Sequence, residues 1–243
     1  MALAASAALV GAFVQSTTGF GFALVLSPAL FAVMDPVEAV MALLVLGLAL
    51  SLLVLFEHGR PEHVDWRSLA PMLAAALPGL AVGAVALTQL SKQALQVAVG
   101  VAVVAVAAWQ LRRRRRGSGH PRLSRGAGIG AGFVSGALTT SINVSGPPIV
   151  LWLEARGASP EEFRASLAAT FLALDLSGGA LLLVAQGSGS IKPGTVAPLL
   201  GLVVAGYALG ALAFRRLNRE RFYTLVLALV ACTGVASIVA GLA

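Results

Sequence analysis

Gly132-Phe133-Val134-Ser135-Gly136-Ala137-Leu138-Thr139-Thr140-Ser141-Ile142-Asn143-Val144-Ser145-Gly146-Pro147-Pro148 is a polar, helix-breaking stretch inside an otherwise apolar segment. Gly146 loosens the backbone, and Pro147 and Pro148 remove two N–H donors, so a regular lipid-facing helix is excluded here. Irregular backbone survives at membrane depth only where protein buries it or where it lines a wet cavity. The stretch therefore reads as the tip of a broken membrane helix. Gln15-Ser16-Thr17-Thr18-Gly19-Phe20-Gly21 has the same character near the N-terminus.

The surroundings of both stretches are those of a membrane protein. With 58% hydrophobic and 11% charged residues, the chain lacks the polar surface of a soluble domain, and its apolar runs approach or exceed the ~20 residues that cross a bilayer. The formal charge of +7 would suggest nucleic acid in a soluble protein. Here Arg112 to Arg116 directly follow an apolar run and read as a topology anchor, so no nucleic-acid partner is expected. The single cysteine, Cys232, lies in an apolar run; it excludes a disulfide framework and a thiolate cluster, and is expected to pack. The apolar N-terminus has no basic flank and counts as structure, not as a removable signal peptide.

Eight hydrophobic segments follow. Segment 1, about Leu3 to Val33, is interrupted at Gln15 to Gly21. Asp35-Pro36-Val37-Glu38 starts segment 2 as a capping box, and segment 2 runs to about Phe56. Segments 3 and 4 occupy about Ser68 to Leu90 and Gln93 to Leu111. Segment 5, about Gly126 to Leu153, holds the broken stretch. Ser159-Pro160-Glu161-Glu162 caps segment 6, which reaches Val184; segments 7 and 8 run from about Gly194 to Phe214 and Glu220 to Gly241.

The two halves repeat. Phe13 and Pro28 match Phe133 and Pro148 at an offset of 120, Pro36 and Glu38 match Pro160 and Glu162 at 124, and Gly79 and Gly83 match Gly206 and Gly210 at 127. Repeat 1 is residues 1–111, repeat 2 is 126–243, and the basic linker 112–125 between them, with its seven arginines, is cytoplasmic. If all eight segments crossed fully, the lysines and arginines would divide ten to seven. If segments 1 and 5 are re-entrant hairpins, fifteen fall inside and only Lys92 and Lys192 outside, which the positive-inside rule favours. Each repeat then has three full spans, an odd number, so the halves are inverted. The expected fold is an all-α membrane protein of two inverted four-segment repeats.

Inverted repeats with broken helices describe secondary transporters whose site lies between the repeats. Hydroxyls, amides, freed N–H groups and half-helix N-termini are ligands for a small anion. The substrate-binding candidates are Gln15, Ser16, Thr17, Thr18, Gly19, Thr139, Thr140, Ser141, Asn143 and Ser145. Asp175 lies mid-segment, where an ionised carboxylate costs about 2.5 to 3.5 kcal/mol, and is the candidate for proton coupling. Trp66, Trp109 and Trp152 sit near segment ends as interfacial aromatics do. His58, His63 and His120 fall in loops without metal-ligand spacing, so neither a metal nor a cofactor is expected. No embedded His, GxSxG or HExxH accompanies the hydroxyls, and the chain does not read as an enzyme.

Two halves that each open with Gly/Ala-Phe-Val-Gln/Ser and a Gly-, Ser- and Thr-rich break resemble the sulfite exporter TauE/SafE family. The resemblance covers nearly the whole chain. Ala131-Gly132-Phe133-Val134-Ser135-Gly136 through Ser145-Gly146-Pro147-Pro148 is its more characteristic part. It implies a multi-pass protein of the bacterial inner (plasma) membrane that exports sulfite or a related small sulfur-containing anion, an organosulfonate among them. An anion channel and a proton-coupled organosulfonate importer are the alternatives. The expected partners are that anion and the lipid bilayer; whether the protein is a monomer or a homo-oligomer stays open.

Overall fold

The computed structural model describes residues 2–58, 64–116, 125–156, 159–187, 192–213, 231–232 and 234–242. Arg60, His63, His120, Arg122, Arg215, Arg216, Arg219, Arg221 and most of segment 8 lie outside the described residues. Within them the chain is all helix: α1 (Ala2–Thr18), α2 (Phe22–Val33), α3 (Pro36–His58), α4 (Trp66–Gln89), α5 (Lys92–Arg116), α6 (Arg125–Ile142), α7 (Gly146–Ala155), α8 (Pro160–Gln186) and α9 (Pro193–Ala213). A tenth, α10, takes in 234–242. Segments 1 and 5 each yield two helices because each is broken where expected, after Thr18 and after Ile142.

Five of these helices, α3, α4, α5, α8 and α9, are long and apolar enough to cross a membrane. α2 and α7, with 12 and 10 residues, rise only about 18 and 15 Å and cannot span the ~30 Å hydrocarbon core. Each broken pair is a hairpin. The start of α2 returns onto α1, where Gly11 meets the Phe22 carbonyl and Gly21 meets Val14. α7 likewise returns along α6, where Trp152 covers Gly128. Trp152 is therefore buried rather than interfacial, with the Arg156 guanidinium stacked 4.9 Å from its ring centre.

The halves interlock. α6 packs most extensively on α4, α1 packs on α9, and α3 packs on α8. Small residues allow backbone-on-backbone contact, as in other membrane helix pairs. Gly79 and Gly83 lie against the carbonyls of Phe133 and Ala137, and Gly206 and Gly210 against those of Leu9 and Phe13. These four contacts correct the register of the repeat. Gly79 and Gly206 are 127 apart, so their partners Phe133 and Leu9 are the equivalent pair, as are Ala137 and Phe13. In the expected repeat these contacts put the broken helices at an offset of 124, the same as in the caps of α3 and α8 and one helical turn from the 120 at which Phe13 and Phe133 match. α6 runs one turn further from its Phe-Val to its break than α1 does, and a local match of Phe-Val cannot reveal that.

Two ion pairs tie loops together: Arg156 Nη2 to Asp65 Oδ2 at 3.2 Å and Lys192 Nζ to Glu38 Oε2 at 2.7 Å. Glu38 therefore faces Lys192, whereas its counterpart Glu162 does form the capping box with Ser159. Cys232, expected to pack, is exposed on the outside of the bundle.

The tight faces predict a contrast between glycines. Gly136 lies on the carbonyl of Ala76, while Gly201 of α9 has nothing within 4 Å of where a Cβ would be. Gly136→Ala is expected to destabilise the folded protein by about 1–3 kcal/mol through overpacking, and Gly201→Ala to leave it unchanged or raise it by up to about 1 kcal/mol. Thermal melts of the detergent-solubilised variants check both.

Candidate functional site

α1 ends in a left-handed residue, Gly19 at φ 86°, whose N–H bonds the Gln15 carbonyl at 2.8 Å. The hydroxyls near this end serve the backbone. Thr17 Oγ1 donates to the Val14 carbonyl at 2.8 Å, and Thr18 Oγ1 to the same carbonyl at 2.9 Å while accepting from Phe20 N–H at 3.3 Å. Arg164 of α8 donates to the Thr17 carbonyl at 3.0 Å, putting a cation at the negative end of α1. Ser16 packs against Gly210 of α9.

α6 ends in the same way with Asn143 at φ 56°, a left-handed conformation that Asn adopts more readily than other side-chain-bearing residues. Its N–H bonds the Thr139 carbonyl at 3.1 Å. Thr139 donates to the Ser135 carbonyl, Ser141 to Ala137, and Thr140 across to Leu80 of α4 at 2.7 Å. Ser135 in turn donates to the Ser145 carbonyl at 2.9 Å, and Ser27 of α2 to the Ile142 carbonyl at 3.0 Å. Ser27 and Arg164 thus bond carbonyls that the breaks leave unpaired, those of Ile142 and Thr17, while the other hydroxyls bond carbonyls that the breaks do not orphan.

Between the two breaks is a cavity of about 40 Å³, lined by Gln15, Phe20 to Leu24, Gly47, Ser51, Asn143 to Pro147, Phe171 and Asp175. At roughly 10–15 Å³ per water it has room for about three waters. Its lining follows the repeat. At the single offset of 124, Phe20 pairs with Val144, Gly21 with Ser145, Phe22 with Gly146, Ala23 with Pro147, Gly47 with Phe171, and Ser51 with Asp175. The cavity is thus lined by positions from both halves of the chain.

Two helix N-termini point at this space. Neither α2 at Gly21 nor α7 at Ser145 has a side-chain cap. The first N–H of α2, that of Phe22, donates to Gln15 Oε1 at 3.3 Å. The next two, of Ala23 and Leu24, have no intrahelical acceptor by helical geometry. In α7, Pro147 and Pro148 carry no N–H, which leaves the Gly146 amide. Asp175, the only ionisable residue of the lining, is buried and close over Gly47 of α3.

Of the residues nominated from the sequence, Gln15, Asn143, Ser145 and Asp175 meet at the cavity. Ser16, Thr17, Thr18, Gly19, Thr139, Thr140 and Ser141 surround it, with the hydroxyls described above bonded to backbone or packed on α9. Ser51 was missed. The offset of 124 already present in the caps would have placed it opposite Asp175.

Residues 3–237 match the sulfite exporter TauE/SafE family. The chain belongs to that family. Members of the TauE/SafE family are transporters and not enzymes, and the helices described above make this one a multi-pass membrane protein. A relative in Cupriavidus necator, named a probable sulfite/organosulfonate exporter TauE, is 30% identical over 172 residues, or 66% of this chain and 63% of the relative. The match thus spans just under two thirds of the relative's length. No solved structure matches the chain.

The left-handed residue at the second break separates backbone from side-chain roles. Asn143→Gly should fold with a melting temperature near that of the parent protein, since glycine accepts positive φ. Asn143→Val should lose about 1–2 kcal/mol because a β-branched side chain is strained there. Thermal melts of the two variants in detergent decide the point.

Proposed function

We propose that the protein is a secondary transporter of the bacterial inner (plasma) membrane that exports sulfite or a related small sulfur-containing anion through the cavity between the two breaks. The observation that carries this reading is the convergence of two helix N-termini, neither closed by the side chain of its own N-cap residue, on one cavity that Gln15, Asn143, Ser145 and Asp175 also line. Such termini present N–H donors and about half a positive charge each, enough to hold an oxyanion weakly without a buried arginine. Gln15, Asn143 and Ser145 face the anion, and the remaining Ser, Thr and Gly candidates hold the breaks in shape. The name of the Cupriavidus necator relative supports the substrate class.

The repeats are inverted in this reading, with α1–α2 and α6–α7 re-entrant. The ion pairs support it. Full crossing by segments 1 and 5 would put Asp65 and Arg156 on opposite sides of the bilayer, and Glu38 and Lys192 likewise; re-entrant hairpins put each pair on one side. Rocking of the halves on the α4–α6 and α1–α9 glycine faces would then alternate access. After Cys232→Ser, a membrane-impermeant thiol reagent should label Lys192→Cys from the periplasmic side of intact cells and reach Arg156→Cys only in inverted vesicles. The opposite pattern at Arg156 rules out the hairpins.

Export of an anion is already favoured by about 2.3 kcal/mol per charge per 100 mV, interior negative, and can proceed as uniport. A second reading, proton-coupled movement, rests on Asp175. An ionised carboxylate about 4 Å from a bound anion would repel it by about 4 kcal/mol at an effective dielectric of 20, so the carboxyl takes up a proton as the anion enters. Labelled sulfite should enter inside-out proteoliposomes saturably, and a Gln15→Ala, Ser145→Ala double variant should lose that flux while Thr139→Ala, Ser141→Ala keeps it. Asp175→Asn separates the two readings: under uniport its flux persists, and under coupling its response to an imposed pH gradient disappears. Absence of saturable sulfite flux in the parent protein would send the substrate assignment back to other small organosulfonates.

A further inference from the structure

Ser51 is a helical serine that does not behave like the others. Thr17, Thr139, Ser141 and Thr170 all donate to a carbonyl three or four residues back in their own helices. Ser51 Oγ is buried and has no hydrogen-bond partner, although its residue is 1% exposed and lines the cavity. An orphaned buried hydroxyl is destabilising and calls for an explanation. Its position supplies one. In the expected repeat Ser51 of α3 is equivalent to Asp175 of α8, and these two helices pack on one another. Asp175 reaches α3 at Gly47, one turn before Ser51, where an added Cβ would come within 2.7 Å of its Oδ2.

We propose that the Ser51 hydroxyl is a direct ligand of the transported anion, and that positions 51 and 175 together form one seat, on the axis, for an oxygen of a small oxyanion. This rests on the reading that the anion occupies this cavity. In the empty protein the hydroxyl is buried and bonds nothing, beside a cavity that its residue lines; an entering oxyanion accepts the hydrogen bond that Ser51 gives to nothing else. The volume matches a compact ion of the size of sulfite and excludes an aromatic sulfonate in this conformation. Because the seat lies on the axis, its carboxyl can come from either half.

Thermal melts of the purified full-length protein in detergent, titrated with sulfite, test the proposal. The parent protein should be stabilised saturably. Ser51→Ala should melt at the same temperature as the parent or higher without sulfite, since it removes an unsatisfied group, yet require at least about tenfold more sulfite for half-maximal stabilisation. Asp175→Ser alone should lose the response, and Ser51→Asp combined with Asp175→Ser should regain it to within a few fold. A Ser51→Ala protein that melts lower or fails to fold, or one that keeps the parent's sulfite midpoint, marks the hydroxyl as structural and overturns the proposal. A swap variant that responds no better than Asp175→Ser overturns the shared seat. A parent protein with no response to sulfite removes the anion reading itself and this inference with it, a failure distinguishable from the other two because it precedes any mutation.

Discussion

An interrupted helix leaves unpaired carbonyls on one side of the break and unpaired N–H groups on the other, and inside a bilayer neither can turn to lipid. The structure disposes of the two sets differently. At the end of α1 the Thr17 carbonyl is bonded by Arg164, and at the end of α6 the Ile142 carbonyl is bonded by Ser27. The N–H groups at the starts of α2 and α7 have no side-chain cap and face a cavity. One break therefore does two jobs: its acceptor side is closed by protein, and its donor side is left for a ligand.

Holding such breaks at depth requires rigid neighbours. α4 and α9 provide them, since Gly79, Gly83, Gly206 and Gly210 bring backbone against backbone and leave little room for the broken helices to shift. The same glycines make the faces smooth enough to slide, so one feature serves both as scaffold and as hinge surface. The cavity's position follows from this exchange, because each half's first helix is clamped by the other half's third, and the tips meet only at the axis.

Much of this was legible in the residues. The helix breaks at Gly19 and Asn143, the long apolar helices and the Ser159–Glu162 capping box follow from local chemistry that needs no partner. The roles of the hydroxyls were not legible, since a serine reads the same whether it bonds its own helix or a substrate; Thr139 and Ser141 do the former and Ser145 lines the cavity. Register was lost for a related reason. Phe13-Val14 and Phe133-Val134 are a good local match, but only the contacts on Gly206 and Gly79 show that α6 carries an extra turn. Trp152, placed at an interface by its position near a segment end, is buried because the hairpin folds it onto Gly128.

Near-symmetry also shows where function departs from scaffold. The paired positions 20 to 23 and 144 to 147 build the same turn twice, yet Pro147 removes a donor where Ala23 keeps one, and Pro148 removes the next where Leu24 keeps its own. The α2 terminus is therefore the richer donor, and an anion is drawn to its side of the axis. Gly47 facing Phe171 leaves room on that same axis for the Asp175 carboxyl, which no bulkier residue at 47 would permit. A symmetric cavity would treat both directions of transport alike. Under the proposed transport, donors concentrated at α2 and a single carboxyl from α8 would give the two access states different affinities, while the electrochemical gradients set the direction of net flux.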